Sequence, residues 1–244
     1  MKKHKKIFLS FMILILIVSV RFILYKNKQH SDFEQFVVVD NVEDNEIQTN
    51  VYIEEITTLQ ETYNNTDIVG TLEIEGTDYK VPIVQGSDNK FYLKHLPNKE
   101  YSIMGSIFLD YRVNINTSRK LLIYGHNSAS IDMPFKILEN YYDMDYIKSH
   151  PYVVIKTKEK VRKYEIFSLY VATSDYQYMN VNFTDDAYKE HINYLKNNSM
   201  YDIETNLKDD DNILILQTCS THKDYLKYKK KYLVIAFHEV DKEM

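Results

Sequence analysis

From Ile68 to Val240 the chain is written in short apolar or alternating runs, each closed by turn residues: Ile68–Ile74, Tyr79–Val84, Ser106–Leu109, Lys120–Tyr124, Tyr152–Thr157, Lys163–Val171, Ile213–Thr218 and Lys231–Val240. Runs this short suit strands better than amphipathic helices. Eight of them in one stretch can bury their apolar faces by closing a sheet on itself or by stacking two sheets. The expected fold is therefore mainly β, a closed eight-stranded β-barrel or a sandwich. Two segments carry helical spacing instead, Met133–Asn140 and Ala187–Asn197. The second falls between the sixth and seventh runs, as one inserted helix.

At 244 residues the chain has room for one ordinary domain with appendages. With 44% hydrophobic and 27% charged residues it is neither collagen-like, disordered nor polytopic in a membrane. The single cysteine, Cys219, excludes a disulfide framework and any site needing several sulfurs, so no metal site and no cofactor is expected. Net charge is −5, but residues 1–28 hold seven Lys or Arg and no acid; the other 23 of the 30 basic residues against 35 acidic ones leave the remainder at −12. Such an acidic body is unsuited to neutralising phosphates, so nucleic acid is not an expected partner.

The basic start has its own logic. Lys2, Lys3, Lys5 and Lys6 precede an apolar run from Ile7 to Tyr25, interrupted by Ser10, Ser19 and Arg21. Nineteen helical residues span roughly 28 Å, close to the ~30 Å hydrocarbon core. No small-residue cleavage site follows, so the run reads as an uncleaved single-pass anchor rather than a signal peptide. Lysines on its N-terminal side place residues 1–6 in the cytoplasm and the acidic body outside the cell. Residues 26–67 then read as a polar stalk that becomes one or two N-terminal helices, and residues 68–244 as the barrel.

Two strand ends concentrate the chemistry. Leu121-Leu122-Ile123-Tyr124 leads directly into Gly125-His126-Asn127, and Ile213-Leu214-Ile215-Leu216-Gln217-Thr218 delivers Cys219. A thiol attacks a carbonyl as thiolate, and an imidazole within reach is its usual partner. On spacing alone a lone Cys at a strand end is also a small buried hydrophobe and a lone His a structural donor. His222, three residues beyond Cys219, is a rival base, while His95, His150, His191 and His238 stand in contexts without chemistry, and Asp209–Asp211 reads as a solvated turn.

The order of these residues resembles the sortases, cysteine transpeptidases of Gram-positive surfaces, and within them class B. Ile68–Ile74, Val81-Pro82-Ile83-Val84-Gln85-Gly86, Asp88-Asn89 and Tyr92-Leu93 are similar to the family's opening strands. Gly105–Arg112 resembles the class B block that follows, Tyr124-Gly125-His126-Asn127 its histidine motif, and Ile213–Cys219 its Thr-Leu-x-Thr-Cys. The resemblance covers residues 68 to 240. It implies a sortase-type barrel in which Cys219 attacks the carbonyl after a threonine in an NPxT-like sorting signal, forming a thioester. It implies further that His126 is the acid and base, that Asn89, Tyr124, Gln217 and Thr218 with the Val171–Ile213 insertion meet the signal, and that a cell-wall amine of peptidoglycan or its precursor accepts the product. Where the family carries an arginine at the entry to its last strand, which stabilises the oxyanion and holds the substrate backbone, the resemblance implies that Lys231 takes this role here, with Lys230, Lys229 and Arg112 as rivals. Two other readings stand beside it: an L,D-transpeptidase-like enzyme, whose histidine–glycine–cysteine cluster Ser220-Thr221-His222 does not supply, and a membrane-tethered binding module without catalysis.

Overall fold

The computed structural model describes residue 12, residues 15–28 and residues 48–240. The expected cytoplasmic tail, residues 1–6, and stalk residues 29–47 lie outside the described residues, as does part of the expected anchor, residues 7–25. Residues 15–28 form helix α1, with Leu16, Val18, Phe22 and Leu24 exposed. Among the described residues no helix is long and apolar enough to cross a membrane.

Eight strands close into one barrel in the order β1-β2-β3-β4-β7-β8-β6-β5. They are β1 (Ile68–Ile74), β2 (Lys80–Val84), β3 (Ile107–Leu109), β4 (Lys120–Tyr124), β5 (Tyr152–Lys156), β6 (Val161–Ala172), β7 (Ile213–Cys219) and β8 (Tyr232–Val240). The ring closes through antiparallel pairing of β1 with β5. Parallel pairing occurs between β2 and β3 and between β4 and β7; the latter matters most for function, because it aligns the ends of two strands in one direction.

Side chains alternate across each strand, and two hydrophobic clusters follow from that period. Leu121 and Ile123 of β4, Leu214 and Leu216 of β7, and Leu233, Ile235 and Phe237 of β8 fill the barrel interior. Leu122 and Tyr124, Ile213 and Ile215, and Val234 and Ala236 point outward into a second cluster. That outer face is covered by helices. Ile56 and Leu59 come from α2 (Gln48–Thr62), and Tyr188, Ile192 and Leu195 from α4 (Asp185–Asn197), the insertion between β6 and β7. Helix α4 starts where Thr184 accepts from Ala187 N, with Asp185 and Asp186 in its first turn, and its buried residues recur at helical spacing.

The helix expected over Met133–Asn140 is instead a 3₁₀ segment, Lys136–Tyr142, followed by α3 (Met144–Ser149). Asp143 separates them: its backbone is extended and its side chain accepts from Asp145 N, capping a new helix rather than continuing the old one.

Candidate active site

The parallel register of β4 and β7 builds the site. Tyr124 lies opposite Gln217, so His126 and Cys219, each two residues further on, leave the barrel at the same level on adjoining strands. Neighbouring strands are only about 4.8 Å apart. Two hydrogen bonds weld the exits together: Gly125 N donates to Gln217 O at 3.2 Å, and Thr218 Oγ1 donates to Gly125 O at 2.8 Å. Asn127 Nδ2 adds a third, to Cys219 O at 3.0 Å. Glycine is required at 125, since a Cβ there would stand 2.5 Å from the Phe135 ring.

A cleft of about 480 Å³ opens beside these exits, with His126 and Cys219 both on its wall. Phe108, Tyr124 and Gln217 form its strand side, Asn89 and Leu93 a loop side, and Tyr176, Tyr178 and Met179 the side given by the β6–β7 insertion. Strand period explains who is present. Gln217 and Cys219 share the outward face with Ile215, whereas Thr218 shares the inward face with Leu216 and is fully buried. Thr218, expected to meet substrate, is therefore placed as a brace between the two exits.

The lysine on the cleft wall differs from the one expected. Tyr232, opposite Cys219, lines the cleft, while Lys231, just before β8, does not, and its Nζ donates to Tyr228 O at 3.2 Å. Lys230 is the lysine on the cleft wall. Arg112, the other rival, does not line the cleft: it forms a fork with Asp110, Nε to Oδ1 at 2.8 Å and Nη2 to Oδ2 at 2.7 Å, and also donates to Met179 O at 3.0 Å. His222 is likewise elsewhere, 4.6 Å from the Tyr142 ring and accepting from Asp224 N through Nδ1.

Cys219 is exposed along the cleft, yet the surrounding walls desolvate the thiol and push its pKa above the ordinary 9.0. The charge of Lys231 pulls the other way without reversing the shift. The resting nucleophile is thus a neutral thiol at neutral pH. His126 Nε2 lies 2.8 Å from Leu93 O, so the imidazole is held by the loop side of the cleft.

Two anchors that sequence reasoning missed fix the walls. Asp110 is fully buried, and its Oδ2 accepts from both Asn89 Nδ2 and Tyr124 OH at 2.9 Å, so both expected signal-binding residues hang from one carboxylate. Burial alone would push the Asp110 carboxyl up; the Arg112 fork and these hydrogen bonds overcome it and hold it below its usual value. Asn89 Oδ1 accepts from Tyr111 N at 3.1 Å, which leaves the second Nδ2 hydrogen for a ligand. Lys120, buried at the start of β4, donates to Tyr178 O and Asn180 O at 2.6 Å and contacts His191 Nε2 at 2.8 Å, clamping the insertion onto the barrel. Burial and the Lys120 charge push His191 down to about 3, so it stays neutral and accepts. The one sequence signal was a lysine opening an otherwise apolar strand.

A family model described as Sortase domain matches residues 72–239. Sortase B of Listeria monocytogenes is 35% identical over 165 residues, 67% of each chain, and sortase B of Staphylococcus aureus is 29% identical over 174 residues, 70% of each. The X-ray structure of Clostridium perfringens sortase B superposes with a TM-score of 0.68 at 28% identity, covering 76% of this chain and 99% of that one. A complex of Staphylococcus aureus sortase B with substrate superposes with a TM-score of 0.68 at 27% identity, over 77% and 85%. A match spanning more than half the chain, on a barrel that brings its lone cysteine beside a histidine, places the protein in the sortase family, class B, as a cysteine transpeptidase.

Proposed function

We propose that Cys219 and His126 cut a threonine-containing sorting signal of NPxT-like type and pass the protein to a cell-wall amine. The observation that carries this reading is the shared level of the two residues at the ends of parallel β4 and β7, on one cleft. His126 takes the proton of the Cys219 thiol as Sγ bonds to the carbonyl carbon of the threonine; the C–N bond after the threonine breaks and the amine leaves with that proton from His126. The incoming amine then attacks the thioester, His126 takes its proton, and the thiolate departs. Asn89, Tyr124 and Gln217, with the aromatic pair Tyr176 and Tyr178, suit an extended peptide carrying a proline.

Lys230 is proposed to occupy the role of the family arginine, because it is the lysine on the cleft wall. An ammonium offers charge without the two-point fork of a guanidinium. Lys230→Arg should then keep or raise the rate, and Lys230→Ala should lower it more than Lys231→Ala does. The reverse ranking would return the role to Lys231.

The apolar, exposed α1 supports the further reading that residues 7–25 tether the chain to the membrane with the barrel outside the cell. Membrane fractionation of the full chain against one lacking residues 1–28 tests it, and equal solubility of the two would defeat it. The reaction is tested by incubating the protein with a library of threonine-centred peptides and an amine, with mass readout. Cleavage after threonine with amine-dependent ligation is expected; cleavage at other residues, or none, would sink the proposed specificity.

A further inference from the structure

The chemistry above asks His126 to exchange a proton at one ring nitrogen, whereas a free imidazole carries its proton on either of two. Nucleophile–base pairs resolve this with a third group that accepts a hydrogen bond from the far nitrogen. In this chain a backbone carbonyl occupies that position, since His126 Nε2 is 2.8 Å from Leu93 O. A carbonyl oxygen only accepts, so Nε2 carries the hydrogen and Nδ1 is the nitrogen that can exchange one. We propose that the Leu93 carbonyl is a positioning group, holding His126 in the Nε2–H form so that Nδ1 serves the leaving and incoming amines. The inference rests on the assignment of His126 as acid and base.

The turn that presents this carbonyl is braced on every side. Leu93 N donates to Lys90 O at 3.2 Å and Lys94 N to Phe91 O at 3.1 Å, while Ser106 N donates to Tyr92 O at 2.9 Å. Ser106 Oγ reaches His95 O at 2.7 Å. Tyr92 is fully buried, and its hydroxyl donates to Asp67 Oδ2 at 2.6 Å and accepts from Asn65 Nδ2 at 2.9 Å. Gly105 makes the close approach possible: it has a φ of 60°, and a Cβ there would stand 2.7 Å from Leu93 O and 2.8 Å from Tyr92 O. A side chain at 105 must therefore displace the carbonyl that holds the histidine. The loop thus does two things at once, lining the cleft with the Leu93 side chain and setting the imidazole with the Leu93 backbone.

The test is nitrogen NMR on the full-length chain labelled with ¹⁵N-histidine, with His126→Gln used to assign the His126 signals. Neutral His126 is expected to show a protonated Nε2 and a bare Nδ1. The opposite tautomer, or the mixture of a free imidazole, overturns the proposal, and this result stands whether or not any variant folds. In folded Gly105→Ala the tautomer should drift to a mixture while kcat falls about 10–100-fold and KM stays within about twofold, the scale on which losing an orienting partner acts on a metal-bound histidine. A mixed tautomer with unchanged kcat would also overturn it. Full activity of His126→Gln would instead remove the histidine from the chemistry while leaving the tautomer result in place, so the two failures are distinguishable.

Discussion

Strands β7 and β8 run side by side along the barrel, and their two ends are built on opposite terms. At one end Cys219 lies opposite Tyr232 beside an open cleft, with a neutral thiol and an imidazole turned to a carbonyl. At the other, His238 lies opposite Ile213 and polar groups are paired: His238 Nδ1 meets Asp211 Oδ2 at 2.9 Å, and Arg162 forks onto Glu239 at 2.9 and 2.8 Å. Arg162 also donates to Ile115 O at 3.2 Å and is almost wholly buried. The difference teaches where each kind of polar group belongs. At the far end paired charges hold strand to strand, whereas at the cleft end the nucleophile and its histidine stand without a charged partner, where a reaction can use them.

Breaking the open end should cost activity and little stability. Cys219→Ala is expected to lower transpeptidation by at least about 10⁴-fold, read by mass spectrometry of ligated product, with the melting temperature moved by no more than about 2 °C. A large drop in melting temperature would make the thiol a packing residue and end the contrast.

Breaking the sealed end should do the reverse. Glu239→Gln leaves the Arg162 guanidinium buried without its countercharge, which costs about 3 kcal/mol and lowers the melting temperature by about 6–12 °C. The rate constant of the surviving folded protein should be unchanged. The effect also has a pH signature. Burial pushes the Glu239 carboxyl up, but hydrogen bonds from Arg162 and Asn212 overcome it, and its folded pKa lies below the ordinary 4.5. A carboxylate depressed on folding stabilises the native state above its unfolded pKa and loses that contribution as pH falls through the folded value. Wild-type stability should therefore decline below about pH 4.5, and Glu239→Gln should flatten that limb in chemical denaturation.

Between the extremes lies the clamp on the insertion. Lys120→Met removes the donor to Tyr178 O and Asn180 O, so the aromatic wall of the cleft loosens. KM for the sorting peptide should rise about fivefold with kcat held within about twofold, since the wall binds but does not react. A fall in kcat alone would tie the insertion to the chemistry instead.

The smallest effect concerns the thiol's electrostatics. Lys231 is the cation whose field opposes desolvation of Cys219, so Lys231→Ala should move the midpoint of iodoacetamide alkylation further above 9.0. A midpoint unmoved by the change would show that the charge does not reach the sulfur.

Much of this was legible in the residues. The runs at Ile68–Ile74 and Lys120–Tyr124 coincide with β1 and β4, because two-residue period and turn punctuation act locally. That Cys219 and His126 leave the barrel side by side was legible because each follows an apolar run. What escaped depends on which way a strand end faces and on what is buried. Thr218 and Lys231 were read as site residues, but the strand period puts Thr218 inside, and the loop before β8, which follows no period, brings Lys230 rather than Lys231 to the cleft wall. Asp110 and Lys120 look like ordinary surface charges in the sequence. Apart from Arg112, two residues from Asp110, their partners come from other segments of the chain, so only the folded contacts reveal two side chains that hold the cleft walls.

The parallel partnership of β4 with β7 has a consequence in time. The residues it joins, such as Gly125 and Thr218, are 93 positions apart, and β7 sits in the ring between β4 and β8, the last strand of the chain. A polypeptide made from its N-terminus holds its histidine long before its cysteine exists. Even then the two stay remote until loop closure over that distance is complete. Reactivity thus waits on the docking of β7 beside β4, and a nascent copy that ends before β7 has no thiol with which to attack a neighbour's peptide bonds.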